Sequence, residues 1–118
     1  MTKWVTRAGL TSTDVIGRLY QLGVVTNRDR VAEVSNALFD PGEVRGSTPK
    51  GHGHRRFTEE QCAAVVNAFV ARDRLELSLA QLFALLAEPE ALKLIRSRPC
   101  LDEGDLSRLQ RTGLEVCA

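Results

Sequence analysis

The sequence predicts a mainly α-helical fold with one short β-hairpin, and three observations support this. Apolar residues recur at helical spacing in several segments, side chains able to cap helices precede three of them, and a glycine-rich basic stretch separates two groups of helices. The chain has 118 residues, of which 43% are apolar, enough for one domain with an ordinary core. No apolar run approaches the roughly 20 residues needed to cross a bilayer, and no secretion signal follows Lys3 and Arg7. We therefore expect a cytoplasmic protein without a membrane partner.

The first two helices are predicted over residues 13–22 and 27–38. An apolar stripe on the first is formed by Val15, Ile16, Leu19, Tyr20 and Leu22, and a second stripe by Val31, Val34 and Leu38. Only residues 23–26 join them, beginning with a glycine suited to end a helix. A connection this short forces the two helices to pack against each other, which is the layout of a helix-turn-helix.

A basic segment follows. Residues 45–56 contain four Lys or Arg, two His and no carboxylate, whereas the 61 residues after Phe57 hold seven Lys or Arg against ten Asp or Glu. Glycine and proline exclude a helix here, but residues 44–45 and 55–57 can pair as a short hairpin around a cationic loop. Such a segment lacks its own counter-charge, so a polyanion is the expected partner.

Four further helices are expected after the hairpin. Thr58 with Gln61 and Ser78 with Gln81 fit capping boxes, for helices over residues 59–72 and 79–86. A short helix over residues 91–98 has Pro89 in its first turn, and a last one covers residues 103–116. We expect the aromatic side chains of these helices and junctions to lie in the core, namely Tyr20, Phe39, Phe57, Phe69 and Phe83.

Residues 53–61, Gly-His-Arg-Arg-Phe-Thr-Glu-Glu-Gln, resemble the wing-to-helix junction of MerR-like transcription regulators. Residues 69–86 resemble the next helix pair of that family, and residues 14–23 with 27–38 its helix-turn-helix. The resemblance covers residues 13–86 and extends to phage excisionase-type proteins. It implies a winged helix-turn-helix domain over residues 13–86, between an N-terminal arm of residues 1–12 and a C-terminal helical extension of residues 87–118. A second register, with residues 9–28 on the recognition helix, stays open.

The predicted DNA-binding residues form two groups. The second helix offers side chains able to meet base edges in the major groove: Asn27, Arg28, Arg30, Ser35 and Asn36, with Glu33 on the same face. The hairpin offers cations for phosphates or the minor groove: Arg45, Lys50, His54, Arg55 and Arg56. The alternative for the first group is a solvated helix surface, and for the second a loop that only maintains solubility.

The leading hypothesis is sequence-specific binding of double-stranded DNA by a MerR-like transcriptional regulator, acting as a homodimer or a cooperative array. Two alternatives remain. One is an excisionase-like architectural DNA-binding protein, and the other is an all-helical protein–protein adaptor or inhibitor that uses the acidic C-terminal half. We expect no enzyme and no cofactor, since no catalytic or phosphate-binding motif is present. We also expect no metal, because His52, His54 and Cys62 lack tetrahedral ligand spacing. Three widely spaced cysteines, Cys62, Cys100 and Cys117, do not indicate a disulfide framework.

Overall fold

The fold is mainly α-helical, as expected. In a computed structural model, residues 9–46 and 55–116 are described, and these contain six helices and no β-strand. The helices are α1 (Ser12–Gln21), α2 (Arg28–Leu38), α3 (Glu59–Arg74), α4 (Leu79–Leu86), α5 (Pro89–Ser97) and α6 (Glu103–Val116). Within the described ranges, no helix is long and apolar enough to cross a membrane.

The turn between α1 and α2 is set by capping at both ends of α1. Thr11 accepts a hydrogen bond from the Asp14 backbone, and the Asp14 carboxylate accepts one from the Thr11 backbone at 2.7 Å. At the other end, Val24 N–H donates to Leu19 and Gly23 N–H to Tyr20, with Gly23 at φ 81°. This is a Schellman ending, in which a left-handed residue lets the chain reverse. The predicted role of Gly23 is therefore confirmed.

The central helix is α3, which contacts each of the other five helices. Both predicted capping boxes are confirmed, Thr58 with Gln61 at the start of α3 and Ser78 with Gln81 at the start of α4. The buried Asn67 amide donates to the Ile95 carbonyl at 3.1 Å and to the Arg98 carbonyl at 2.8 Å. Since the last carbonyls of a helix lack intrahelical partners, Asn67 caps the end of α5 from inside the protein.

One hydrophobic core runs through both halves of the chain. It is lined by Val15, Leu19, Val31, Val34, Leu38, Phe57, Val65, Phe69, Leu82, Leu85, Ile95 and Leu109, among others. Residues from α5 and α6 belong to the same cluster as those of α1 to α4, so no separate core marks the boundary expected after residue 86. α6 begins with a reciprocal pair of hydrogen bonds between Asp102 and Asp105, a capping box that the sequence analysis did not predict.

One predicted core residue proved wrong. Tyr20 is 72% exposed, together with Leu22 at 46% and Val25 at 82%, so the α1–α2 turn presents three apolar side chains to solvent. Tyr20 directly follows the fully buried Leu19, and consecutive helical residues point about 100° apart at 3.6 residues per turn. The buried stripe of α1 is therefore narrower than the sequence suggested.

Candidate nucleic-acid interface

The orientation of α2 decides which of its side chains a ligand can reach. Val31, Val34 and Leu38 are buried, and with them Ser35. At 3.6 residues per turn, the opposite side carries Asp29, Glu33 and Asn36, all exposed. Asp29 was not among the predicted site residues. The outward face of α2 therefore mixes an amide with two carboxylates, groups that can accept hydrogen bonds from cytosine or adenine.

The polar side chains at the start of α2 differ in the contacts that they already make within the protein. Asn27 is the N-cap, and its side-chain oxygen accepts from Arg30 N–H at 2.9 Å. The Arg30 guanidinium pairs with Glu33 at 2.9 Å. Arg28 is exposed and makes no ion pair with any described residue. Arg28 is thus the α2 guanidinium best placed for an external partner.

Ser35 does not belong to the exposed face. It is 1% exposed, and its hydroxyl has no hydrogen-bond partner among residues 9–46 and 55–116. Its position four residues after Val31 and three before Leu38 lies inside the buried stripe, so the helical period overrides the polar residue type. A base edge cannot reach this hydroxyl while α2 is folded, which corrects its assignment as a DNA contact.

Arg55 is also buried rather than presented to solvent. It is 4% exposed, and burial lowers the pKa of its guanidinium from the ordinary arginine value. Its Nη2 donates to Asn36 Oδ1 at 3.1 Å, 19 residues away in the sequence. A direct phosphate contact by Arg55 therefore does not fit this arrangement. The hydrogen bond to Asn36 instead connects α2 to the C-terminal part of the basic segment.

Of the predicted hairpin, the described residues show one isolated pairing and no β-strand. Arg45 and Arg56 form an isolated antiparallel bridge in which Arg56 N–H donates to the Arg45 carbonyl at 2.8 Å. A second bridge joins Leu10 and Phe57 through two hydrogen bonds of 2.9 and 2.7 Å. Arg45 is exposed and Arg56 half-buried. Lys50 and His54 lie outside the described residues.

The chain between α2 and the basic segment is held by Glu43 and Arg96. One Glu43 carboxylate oxygen accepts from Asp40 N–H at 2.7 Å, and the other from the Arg96 guanidinium at 2.8 Å. Both bonds, the first more strongly, hold the pKa of Glu43 below its usual range. Arg96 also stacks 4.7 Å over the Phe39 ring. α5 thus fixes the loop that leads into the Arg45–Arg56 bridge.

Within residues 9–46 and 55–116, no cluster of three or more His, Cys, Asp or Glu residues could hold a metal ion. Cys62 is fully buried, and burial raises the pKa of its thiol, which disfavours the reactive thiolate.

Comparisons of the chain with protein-family models, with curated proteins and with solved structures found no match. The candidate interface therefore rests on the geometry of α2 and the Arg45–Arg56 bridge.

Proposed function

We propose that this protein binds double-stranded DNA as a winged helix-turn-helix module, in the manner of MerR-like transcription regulators. The observation that carries the proposal is the Arg55–Asn36 hydrogen bond, which couples the exposed face of α2 to the root of the basic segment. A duplex that receives α2 in its major groove would then meet the basic segment at the flanking backbone.

The two parts of this interface contribute differently. On α2, Arg30 is paired with Glu33, so this helix contributes one phosphate contact at most, through Arg28. The remaining attraction comes from Arg45, Arg56 and the loop they enclose, while α2 supplies hydrogen-bonding groups for base edges. One such module buries only about 600–1,000 Å² on DNA, so we propose that a homodimer or a cooperative array forms on the duplex.

The salt dependence of binding tests this proposal. If Arg28, Arg45, Lys50 and Arg56 each neutralise one phosphate, the logarithm of affinity falls with log salt at a slope of about −3.6. Replacing both Arg45 and Arg56 by Gln should reduce the slope to about −1.8 and weaken binding to all duplexes alike. Fluorescence anisotropy with a labelled mixed-sequence duplex measures both quantities. Circular dichroism checks that the variant retains its helices.

A matched control removes two charges elsewhere. The double variant Arg108→Gln/Arg111→Gln takes the same charge from α6 and should leave the slope unchanged. An equal loss in the two double variants would show that only total charge matters, and the proposed interface would be wrong. Strong bending of the duplex without sequence preference would favour the excisionase-like architectural role within the same class.

The competing function is a protein–protein adaptor. The observation that favours it is the exposure of Tyr20, Leu22 and Val25 at the α1–α2 turn, since clustered exposed apolar side chains mark contact sites for proteins. If the wild-type protein fails to bind any duplex at low salt, this function replaces DNA binding.

A further inference from the structure

A groove between α5 and α6 carries an excess of positive charge on the C-terminal part of the protein. Its volume is about 460 Å³, within the range of small-molecule sites. Its floor includes the buried Ala91 and Leu109, and its walls carry Lys93, Arg98, Arg108 and Arg111. None of these four residues belongs to the predicted DNA-binding set.

Of the four cations, one forms an ion pair with another described residue. Arg98 pairs with the buried Asp105 at 3.3 Å. Lys93, Arg108 and Arg111 make no ion pair with residues 9–46 or 55–116, although all three line the same groove. Arg108 and Arg111 are three residues apart on α6, a spacing at which like charges repel. An anion in the groove would relieve this repulsion.

The groove carries both signs of charge. Two carboxylates line it, Glu90 on the first turn of α5 and Glu115 on the last turn of α6. Lys93 follows Glu90 by three residues and Arg111 precedes Glu115 by four, so each of these cations has a carboxylate within about one helical turn. The four cations among the lining residues still exceed the two carboxylates.

We infer that the α5–α6 groove is a binding site for a small anion bearing phosphate or carboxylate groups. Guanidinium groups bind both through paired N–H donors, and Lys93 adds a point charge from the facing helix. The groove is too small for a duplex, and its volume suits a small anion. This site would be separate from α2 and the Arg45–Arg56 bridge.

Thermal unfolding at low ionic strength tests the inference, with millimolar pyrophosphate and millimolar citrate as the two probes. Binding to the folded state alone should raise Tm by roughly 6 °C when the probe exceeds its Kd about tenfold. The larger rise identifies the group that the site prefers. Arg108→Gln/Arg111→Gln should lose the rise, and Arg45→Gln/Arg56→Gln should keep it.

No rise in Tm with either probe, or the same rise in both double variants, would overturn the inference, since excluded anions stabilise any folded protein alike.

A third variant tests the site even if Arg108→Gln/Arg111→Gln fails to fold. Glu90→Gln/Glu115→Gln removes the carboxylates and should enlarge the rise, because fewer like charges then oppose the anion. An unchanged or smaller rise in this variant would also count against the site. DNA affinity should stay the same in the groove variants, so either proposal can fail without the other.

Discussion

The Arg55 guanidinium donates to the Asn36 side-chain oxygen across 3.1 Å, and this bond joins the C-terminal part of the basic segment to the outward face of α2. Arg55 is buried and Asn36 exposed, so the bond lies where the core meets the proposed DNA surface. Both residues are predicted from the sequence as independent DNA contacts. Their hydrogen bond instead makes them a connection between the two parts of the interface.

A double-mutant cycle measures this connection. Arg55→Ala and Asn36→Ala should each destabilise the protein, and their effects should be coupled by about 1–2 kcal/mol because the bond involves a charged donor. Urea unfolding of the wild type, the two single variants and the double variant gives the coupling energy. Effects that simply add would show that the two side chains do not stabilise each other.

Ser35 offers a test that separates burial from DNA contact. Ser35→Ala removes a buried hydroxyl without a partner and improves helix propensity, so the free energy of unfolding should rise by about 0.5–1.5 kcal/mol. Duplex affinity should not change. Ser35→Thr is the matched comparison, because it retains the hydroxyl and should not be stabilising. A loss of affinity in Ser35→Ala would restore this residue to the DNA-binding set.

Glu76 is the one residue other than glycine with a positive φ in the described ranges, at 54°. It follows the C-cap of α3, where Leu77 N–H donates to the Arg72 carbonyl at 2.9 Å in a Schellman ending. Because a Cβ atom costs about 1 kcal/mol in this conformation, Glu76→Gly should stabilise the protein by about 0.5–1 kcal/mol. Glu76→Ala retains the Cβ atom and should give little or no gain. Thermal and urea unfolding compare the two.

The two hydrogen bonds that Glu43 accepts, from Asp40 N–H and from Arg96, should make stability depend on acid. Both lower the pKa of Glu43 in the folded protein, the first more strongly, so they stabilise it above the unfolded glutamate pKa of about 4.3 and this stabilisation is lost as the pH falls through the folded value. Glu43→Gln should therefore cost about 0.5 kcal/mol at neutral pH, a modest effect because both side chains are partly exposed. The difference from the wild type should shrink below about pH 4.3. Urea unfolding across this pH range measures the difference. A difference that does not change with pH would mean that the charge of Glu43 does not contribute to stability.

Local rules predicted the helices well because their signals lie close together in the sequence. Thr58 with Gln61 and Ser78 with Gln81 are three residues apart, so each helix start could be inferred from neighbours alone. The burial of Ser35 could also have been inferred from its spacing to Val31 and Leu38. The helical period, and not the polar side chain, decides which way Ser35 points.

Contacts between distant residues could not be predicted in this way. Arg96 reaches Glu43 across 53 residues, and Arg55 reaches Asn36 across 19. Which arginine turns inward depends on the packing of α2 and α5, which composition and periodicity do not specify. The α5–α6 groove could not be predicted either, because its cations come from two separate helices in a half of the chain that holds more Asp and Glu than Lys and Arg.

Asn67 has a consequence for any attempt to trim this protein. Its amide satisfies two carbonyls at the end of α5, and Ile95 from that helix is fully buried in the shared core. A chain truncated after residue 86 would leave this amide without its two hydrogen-bond acceptors and would expose apolar surface on α3. The six helices should therefore melt in a single step, and the portion that resembles a DNA-binding module should not be separable as a minimal fragment.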